Sequence, residues 1–240
     1  MGWVQAVLML SVLDALGIVL ALALAGDPNE GAPAAQKQTL SEAIVEARGH
    51  SGFWLLTIGF FVCGFHVTFI AVHLPSFLSD QGMTAAFAAT ALAVIGLANI
   101  GSGIFAGICG NRFRKKYILS GFYICRAIVM TGFLLKPITE TTALVFAVLI
   151  GLLWLGTVPI TSALVAQIFG VRNLSTLFGF VFFSHQLGAF LGSWLGGYVF
   201  DLTGSYDIVW GVAVVLSLVA SAFHLPIADA PVTRLQENTA

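Results

Sequence analysis

The sequence predicts an all-α fold, a polytopic bundle of membrane-spanning helices. Hydrophobic residues make up 58% of the 240 and charged residues only 9%, whereas a soluble domain carries about 25% charged residues. The mean hydropathy is +0.97, so water is not the main solvent. The few charges are also spaced at intervals: none lies in 49–79, 81–111 or 141–171, three gaps of 31 residues each. A helix crosses the hydrocarbon core with about 20 residues at about 1.5 Å of rise each, so every gap holds one crossing and its interfacial ends. The apolar runs are continuous, whereas a membrane barrel alternates over segments of about 10 residues.

Reading the gaps in order gives seven spans, at 3–25, 53–78, 84–108, 117–135, 141–168, 174–199 and 208–227. The first ends in Ala21-Leu22-Ala23-Leu24-Ala25, which looks like a signal-peptide cleavage site. However, no Lys or Arg precedes the run, Asp14 interrupts it and it exceeds a signal core in length, so it reads as a span. Segment 26–52 is the one break in composition, holding six of the 21 charged residues together with Pro28, Gly31 and Pro33, and it reads as a linker. Within it, Leu40, Ile44 and Val45 have helical spacing behind Ser41 and Glu42, so Thr39–Arg48 predicts a short amphipathic surface helix. The linker separates one span from six.

Loop charge orients the bundle. Lys37, Arg48, Arg112, Arg114, Lys115, Lys116, Arg172 and Arg234 fall in 26–52, 109–116, 169–173 and the tail 228–240, which alternation puts on one side; Lys136 alone lies on the other. The positive-inside rule makes the first side cytoplasmic, with the N-terminus outside and the C-terminus inside a cell or plasma membrane.

The net charge of −1 leaves no basic patch for nucleic acid. Cys63, Cys109 and Cys125 have no paired spacing and no neighbouring His cluster, so they read as small apolar residues, and no metal or cofactor is expected. Residues 208–227 contain no Lys for a retinal Schiff base, and the spans contain no His-Glu-x-x-His, Gly-x-Ser-x-Gly or carboxylate pair, which argues against a photoreceptor and an enzyme.

Two segments end alike: Gly107-Ile-Cys-Gly-Asn111 after the third span and Gly197-Tyr-Val-Phe-Asp201 after the sixth. They fall on opposite faces, as an inverted 3+3 repeat requires. The loop Gly107-Ile-Cys-Gly-Asn111-Arg112-Phe113-Arg114-Lys115-Lys116 resembles the Gly-x-Leu-Ala-Asp-Arg-x-Gly-Arg-Arg loop of the major facilitator superfamily. Gly107, Arg112, Lys115 and Lys116 match; Asn111 stands for the Asp and Arg114 for the second Gly. Gly196-Gly197-Tyr-Val-Phe-Asp201-Leu-Thr-Gly204-Ser205-Tyr206 and Phe65-His66-Val-Thr-Phe-Ile-Ala-Val-His73-Leu74-Pro75 resemble the eleventh-to-twelfth junction and the seventh helix of monocarboxylate and oxalate–formate type members. Gly2-Trp3 with its span is similar to a sixth helix.

This resemblance implies a carrier of twelve helices, of which the chain holds the sixth (1–25), the central linker and the C-terminal six (53–227), so that an N-terminal half is a missing partner. The implied activity is secondary active transport of small organic solutes, narrowed to proton-coupled monocarboxylates. The alternative is a non-transporting membrane partner or regulatory protein derived from a transporter half.

Intramembrane polar residues are costly and therefore candidates. His66 and His73 stand two turns apart, about 10 Å along one helix face. They either line a cavity, where an imidazole exchanges a proton and attracts a carboxylate, or donate to carbonyls of neighbouring helices. Arg126 needs a carboxylate, helix-end carbonyls or water; a structural ion pair is expected, with Asp14 as a candidate partner. The resemblance puts Asn99, His185 and Gln186 on cavity helices. Trp154 and Pro159 fit a kinked gate or interior packing, and Pro75 a bend. Gly188, Gly192 and Gly196, and Gly103 with Gly107, predict close helix packing.

Overall fold

The computed structural model describes residues 3–23 and 38–237. Lys37, Pro28, Gly31 and Pro33 of the expected linker, and Gly2, lie outside the described residues. Contacts divide the chain between Gln38 and Thr39. The first unit contains α1 (Trp3–Ala23), a 21-residue helix long enough, at about 1.5 Å per residue, to cross a bilayer. Asp14 is exposed on it.

The second unit opens with α2 (Leu40–Gly49), the amphipathic helix expected from the spacing. Thr39 caps it in a reciprocal box: the Glu42 amide donates to Thr39 Oγ1 at 3.3 Å and the Thr39 amide to Glu42 Oε2 at 2.8 Å. Then follow α3 (Ser51–Asp80), α4 (Ala85–Arg112), α5 (Lys115–Leu134), α6 (Glu140–Leu152), α7 (Thr157–Phe169), α8 (Leu174–Thr203), α9 (Asp207–His224) and the short α10 (Thr233–Glu237). With α6 and α7 taken as one crossing, six crossings are long and apolar enough for a bilayer. No strand occurs among the described residues. Thr84 and Thr139 cap α4 and α6 with their hydroxyls. Gly170 and Gly204 end α7 and α8 at φ +85° and +67°, a backbone that side-chain-bearing residues avoid.

Two boundaries differ from the sequence reading. The loop expected at 109–116 shrinks to Phe113–Arg114, because the helices carry Arg112 and Lys115 out to the interface. The span expected at 141–168 is two helices parted by Leu153–Gly156. Gly156 loosens the chain there, and Pro159 sits in the first turn of α7, where a missing N–H costs nothing.

The packing follows a swapped pattern. α3 lies chiefly against α8, α4 against α6 and α7, and α5 against α9. Counting α3, α4, α5 as one triplet and α6–α7, α8, α9 as the next, the first member of each pairs with the second of the other, and the thirds pair together. That is the arrangement a 3+3 repeat demands. Lipid offers little hydrophobic drive between helices, so contact depends on small residues. Gly64, Gly188 and Gly192 set backbone against backbone between α3 and α8, leaving no room for a Cβ beside the carbonyls of His185, Phe61 and Phe65. Gly196 makes room for the His73 ring. Gly103 and Gly107 have nothing within 4 Å of a Cβ, so the close packing expected of that pair does not occur within this unit. At one end Trp210 meets Phe69, Phe77, Phe133 and Phe146 edge-on, with ring centroids 5.0–6.1 Å apart.

The segments that loop charge assigned to one side meet at the other end. Arg114 donates to both carboxylate oxygens of Asp229, Lys116 Nζ to the Ile227 carbonyl at 2.8 Å, Lys115 Nζ to Gln167 at 2.9 Å, and Arg234 to the Phe169 carbonyl at 3.0 Å and to Glu46 at 3.3 Å. The segment after α9 is therefore strapped to the bundle, its Val232 amide bonded to the Ile168 carbonyl at 3.0 Å.

Candidate functional site

Arg126, Asn99, Ser102, Cys63 and Thr157 gather around the break between α6 and α7. Breaking the α6–α7 crossing frees backbone groups that lipid cannot satisfy, each costing several kcal/mol or so if left bare. Both ends of the break are closed by side chains. On the carbonyl side, Arg126 of α5 donates from Nε to Leu153 O at 3.0 Å and from Nη2 to Leu153 O at 2.6 Å and Trp154 O at 3.0 Å. On the amide side, α4 supplies acceptors: Leu155 N donates to Asn99 Oδ1 at 3.2 Å and Gly156 N to Ser102 Oγ at 2.8 Å.

Arg126 is 2% exposed and completes its set with Thr157 Oγ1 at 3.4 Å and Cys63 Sγ at 3.6 Å. Cys63 and Thr157 are themselves 3.2 Å apart. Within the six-span unit Arg126 is met by oxygens and one sulfur, and among the described residues of that unit no carboxylate lies within 4.0 Å of it. The strong dipoles of a helix end do the work of an anion here. Cys63 is no mere apolar filler but a polar partner of the guanidinium. The sequence signal for it, a Cys level with the only mid-span Arg, was too weak to read without the fold.

His66 and His73 take the packing geometry. His66 Nε2 donates to the Ala213 carbonyl of α9 at 2.8 Å, and His73 Nε2 to the Ser193 carbonyl of α8 at 2.8 Å. Both rings are buried. Their shared helix face therefore meets other helices. A third histidine, His224, was not singled out in sequence; its ring fills the notch at Gly59 and stacks on Tyr123 with centroids 5.0 Å apart.

His185 differs. It is half-buried, and among the described residues of the six-span unit it is the one mid-span His, Asp, Glu, Lys or Arg that is not buried. Its ring stacks on Phe182 at 5.2 Å and leans on Phe60 at 5.0 Å. Nδ1 lies 3.2 Å from Oε1 of the exposed Gln186. An amide oxygen accepts, so Nδ1 carries the hydrogen and Nε2 keeps a lone pair that can take a proton. The His185 backbone touches Gly64, and its side chain hydrogen-bonds Cys63, a member of the Arg126 cluster. Trp154 is half-buried at the break.

Of the loop residues, Asn111 and Arg112 are exposed, Gly107 faces open space, and Lys115 and Lys116 bind the strapped end described above.

Six apolar crossings in two swapped triplets, with a polar cluster beside a broken helix, fit the architecture of a secondary carrier. Residues 1–161 match the profile of the Major Facilitator Superfamily. The chain belongs to the major facilitator superfamily. Similar superfamily members include the uncharacterized MFS-type transporter YcxA of Bacillus subtilis, 26% identical over 77% of this chain and 48% of that protein. Another is the uncharacterized MFS-type transporter YhjX of Escherichia coli, 22% identical over 61% of this chain and 37% of that protein. A third is monocarboxylate transporter 12 of Xenopus laevis, 26% identical over 64% of this chain and 34% of that protein. The chain thus spans about a third to a half of the length of these superfamily relatives. Its superfamily consists of membrane transporters, not enzymes.

Proposed function

We propose that this chain forms the C-terminal part of a secondary active transporter that moves small monocarboxylates together with protons. In this reading residues 1–25 correspond to the sixth helix, 26–52 to the cytoplasmic linker, 53–227 to the six-helix half and 228–240 to the tail. The N-terminus lies outside and the basic end, with Arg112, Lys115 and Lys116, faces the cytoplasm. The cavity forms only when a second six-helix half closes over α3, α4, α7 and α8, and the two halves rock about the midplane. The lengths of the relatives and the name of the Xenopus laevis protein support it.

The observation that carries the substrate class is the His185–Gln186 pair, a half-buried imidazole beside an exposed amide. Protonation at Nε2 turns the ring into a cation that pairs with a carboxylate, which ties anion binding to proton uptake. Arg126 serves as a positioning residue that holds the break shut, since its donors point to protein atoms.

The test is uptake of labelled lactate, pyruvate, formate and oxalate into proteoliposomes under an inward proton gradient. Residues 1–240 alone are expected to give background flux, and the same residues supplied with the five-span N-terminal part of a superfamily relative to give gradient-driven uptake. Uptake by residues 1–240 alone overturns the need for a second half. Flux indifferent to the gradient overturns proton coupling.

A further inference from the structure

A groove of about 680 Å³ runs between α4 and α5, and none of the transport chemistry above uses it. Its wall is apolar: Phe105 on one side, Phe122 and Cys125 on the other, with Gly121 between them and Leu153 at the deep end. Arg112 and Arg114 stand at its mouth. We propose that this groove is a binding site for one anionic phospholipid of the leaflet at the Arg112 end, with its phosphate on Arg112 and an acyl chain along Gly121 to Leu153.

Three observations select this occupant. The first is charge. Arg112 and Arg114 line the mouth; Arg114 is paired with Asp229, which leaves Arg112 as a positive charge without a carboxylate there. Arg112 is exposed and, among the described residues, has no carboxylate within 4.0 Å. Basic sites between membrane helices recognise anionic headgroups through charge-assisted hydrogen bonds. The second is length. From Lys115 to Cys125 is ten residues, about 15 Å of helix, which is half of a hydrocarbon core about 30 Å thick. The groove is therefore one leaflet deep, the reach of one acyl chain. The third is the floor: a Cβ placed on Gly121 meets nothing within 4 Å, so the space there is open to a ligand and is not filled by packing. A free inorganic anion would use the mouth and leave the apolar remainder bare.

Cys125 reports occupancy, because it is exposed while Cys63 and Cys109 are buried. The purified chain in a neutral detergent is alkylated with a maleimide in the presence of dioleoyl phosphatidylglycerol, dioleoyl phosphatidylcholine or inorganic phosphate. Phosphatidylglycerol is expected to slow Cys125 labelling at least about 5-fold, and phosphatidylcholine or phosphate less than 2-fold. Arg112→Gln is expected to bring phosphatidylglycerol down to the phosphatidylcholine level. Gly121→Leu, whose Cβ meets nothing within 4 Å, fills the open floor and should remove protection by either lipid. Equal protection by both lipids, protection by phosphate alone, or slowing that follows protein concentration and so reports a second copy, would each overturn the proposal. If Arg112→Gln unfolds, unchanged protection in Gly121→Leu overturns it by itself.

Discussion

Arg126 and Leu153 are joined by two hydrogen bonds to a single carbonyl oxygen, from Nε at 3.0 Å and from Nη2 at 2.6 Å. The guanidinium fork thus takes the place of the amides that a continuous helix would have supplied. Replacing Arg126 by Leu removes both of its hydrogen bonds to Leu153 O and leaves Trp154 O only the Thr157 hydroxyl, with an expected loss of about 1–3 kcal/mol. Arg126→Lys should recover only part of it, since an ammonium cannot reproduce the planar fork. Thermal unfolding in detergent measures both. A Leu variant as stable as the parent would show that the break needs no clamp.

The glycines of α8 separate cleanly by what surrounds them. A methyl group at Gly188 would overlap the Phe61 carbonyl, whereas one at Gly179 meets nothing within 4 Å. Gly188→Ala should therefore cost about 1–3 kcal/mol by forcing α3 and α8 apart. Gly179→Ala should gain about 0.5–1 kcal/mol from helix propensity. Matched denaturation curves for the two variants decide the point, and equal effects would contradict the interface.

The strapped C-terminal segment should respond to acid. Hydrogen bonds from Arg114 hold the Asp229 carboxyl below its ordinary value. A group depressed in the folded state contributes stability above its unfolded pKa, about 3.9, and loses it as pH falls through the lower folded value. Protection of the Val232 amide against hydrogen exchange should thus be constant from neutrality to about pH 4 and decline below it. Asp229→Asn should weaken that protection at every pH and abolish the acid step.

His66, His73 and His185 should part company in function. His66 and His73 each donate to a carbonyl of a neighbouring helix, so His73→Leu should cost about 1–2 kcal/mol and leave the pH profile of uptake unchanged. His185→Gln should leave stability near the parent and flatten that profile. The same uptake assay with the two-half assembly, run between pH 5 and 8, distinguishes them. A flattened profile in His73→Leu would move the proton site to α3.

Charge spacing made the crossings legible because few residues except Asp, Glu, Lys and Arg are excluded so strongly from hydrocarbon. It missed the interruption at Leu153–Gly156, since those residues are as apolar as their flanks and the break is held by partners on α4 and α5. For the same reason Asn99 was noticed without its role, Ser102 went unread, and Cys63 was read as a small apolar residue. His66 and His73 were visible as polar residues, but helical spacing alone does not say whether a face meets a cavity or another helix. Gly188 and Gly103 carry the same small-residue spacing, and only the neighbours tell the packed pair from the open one.

The α3–α8 contact is backbone on backbone through Gly64, Gly188 and Gly192. The α4–α6 contact begins the same way at Gly151, against Ile95 and Ala98, but at Gly156 it passes to the side chains of Ser102 and Asn99. Interlocked backbones can separate only by unzipping, while a hydroxyl and an amide can trade one backbone donor for the next. The half-bundle therefore has one welded edge and one adjustable edge, and strain applied across it would be released along the second.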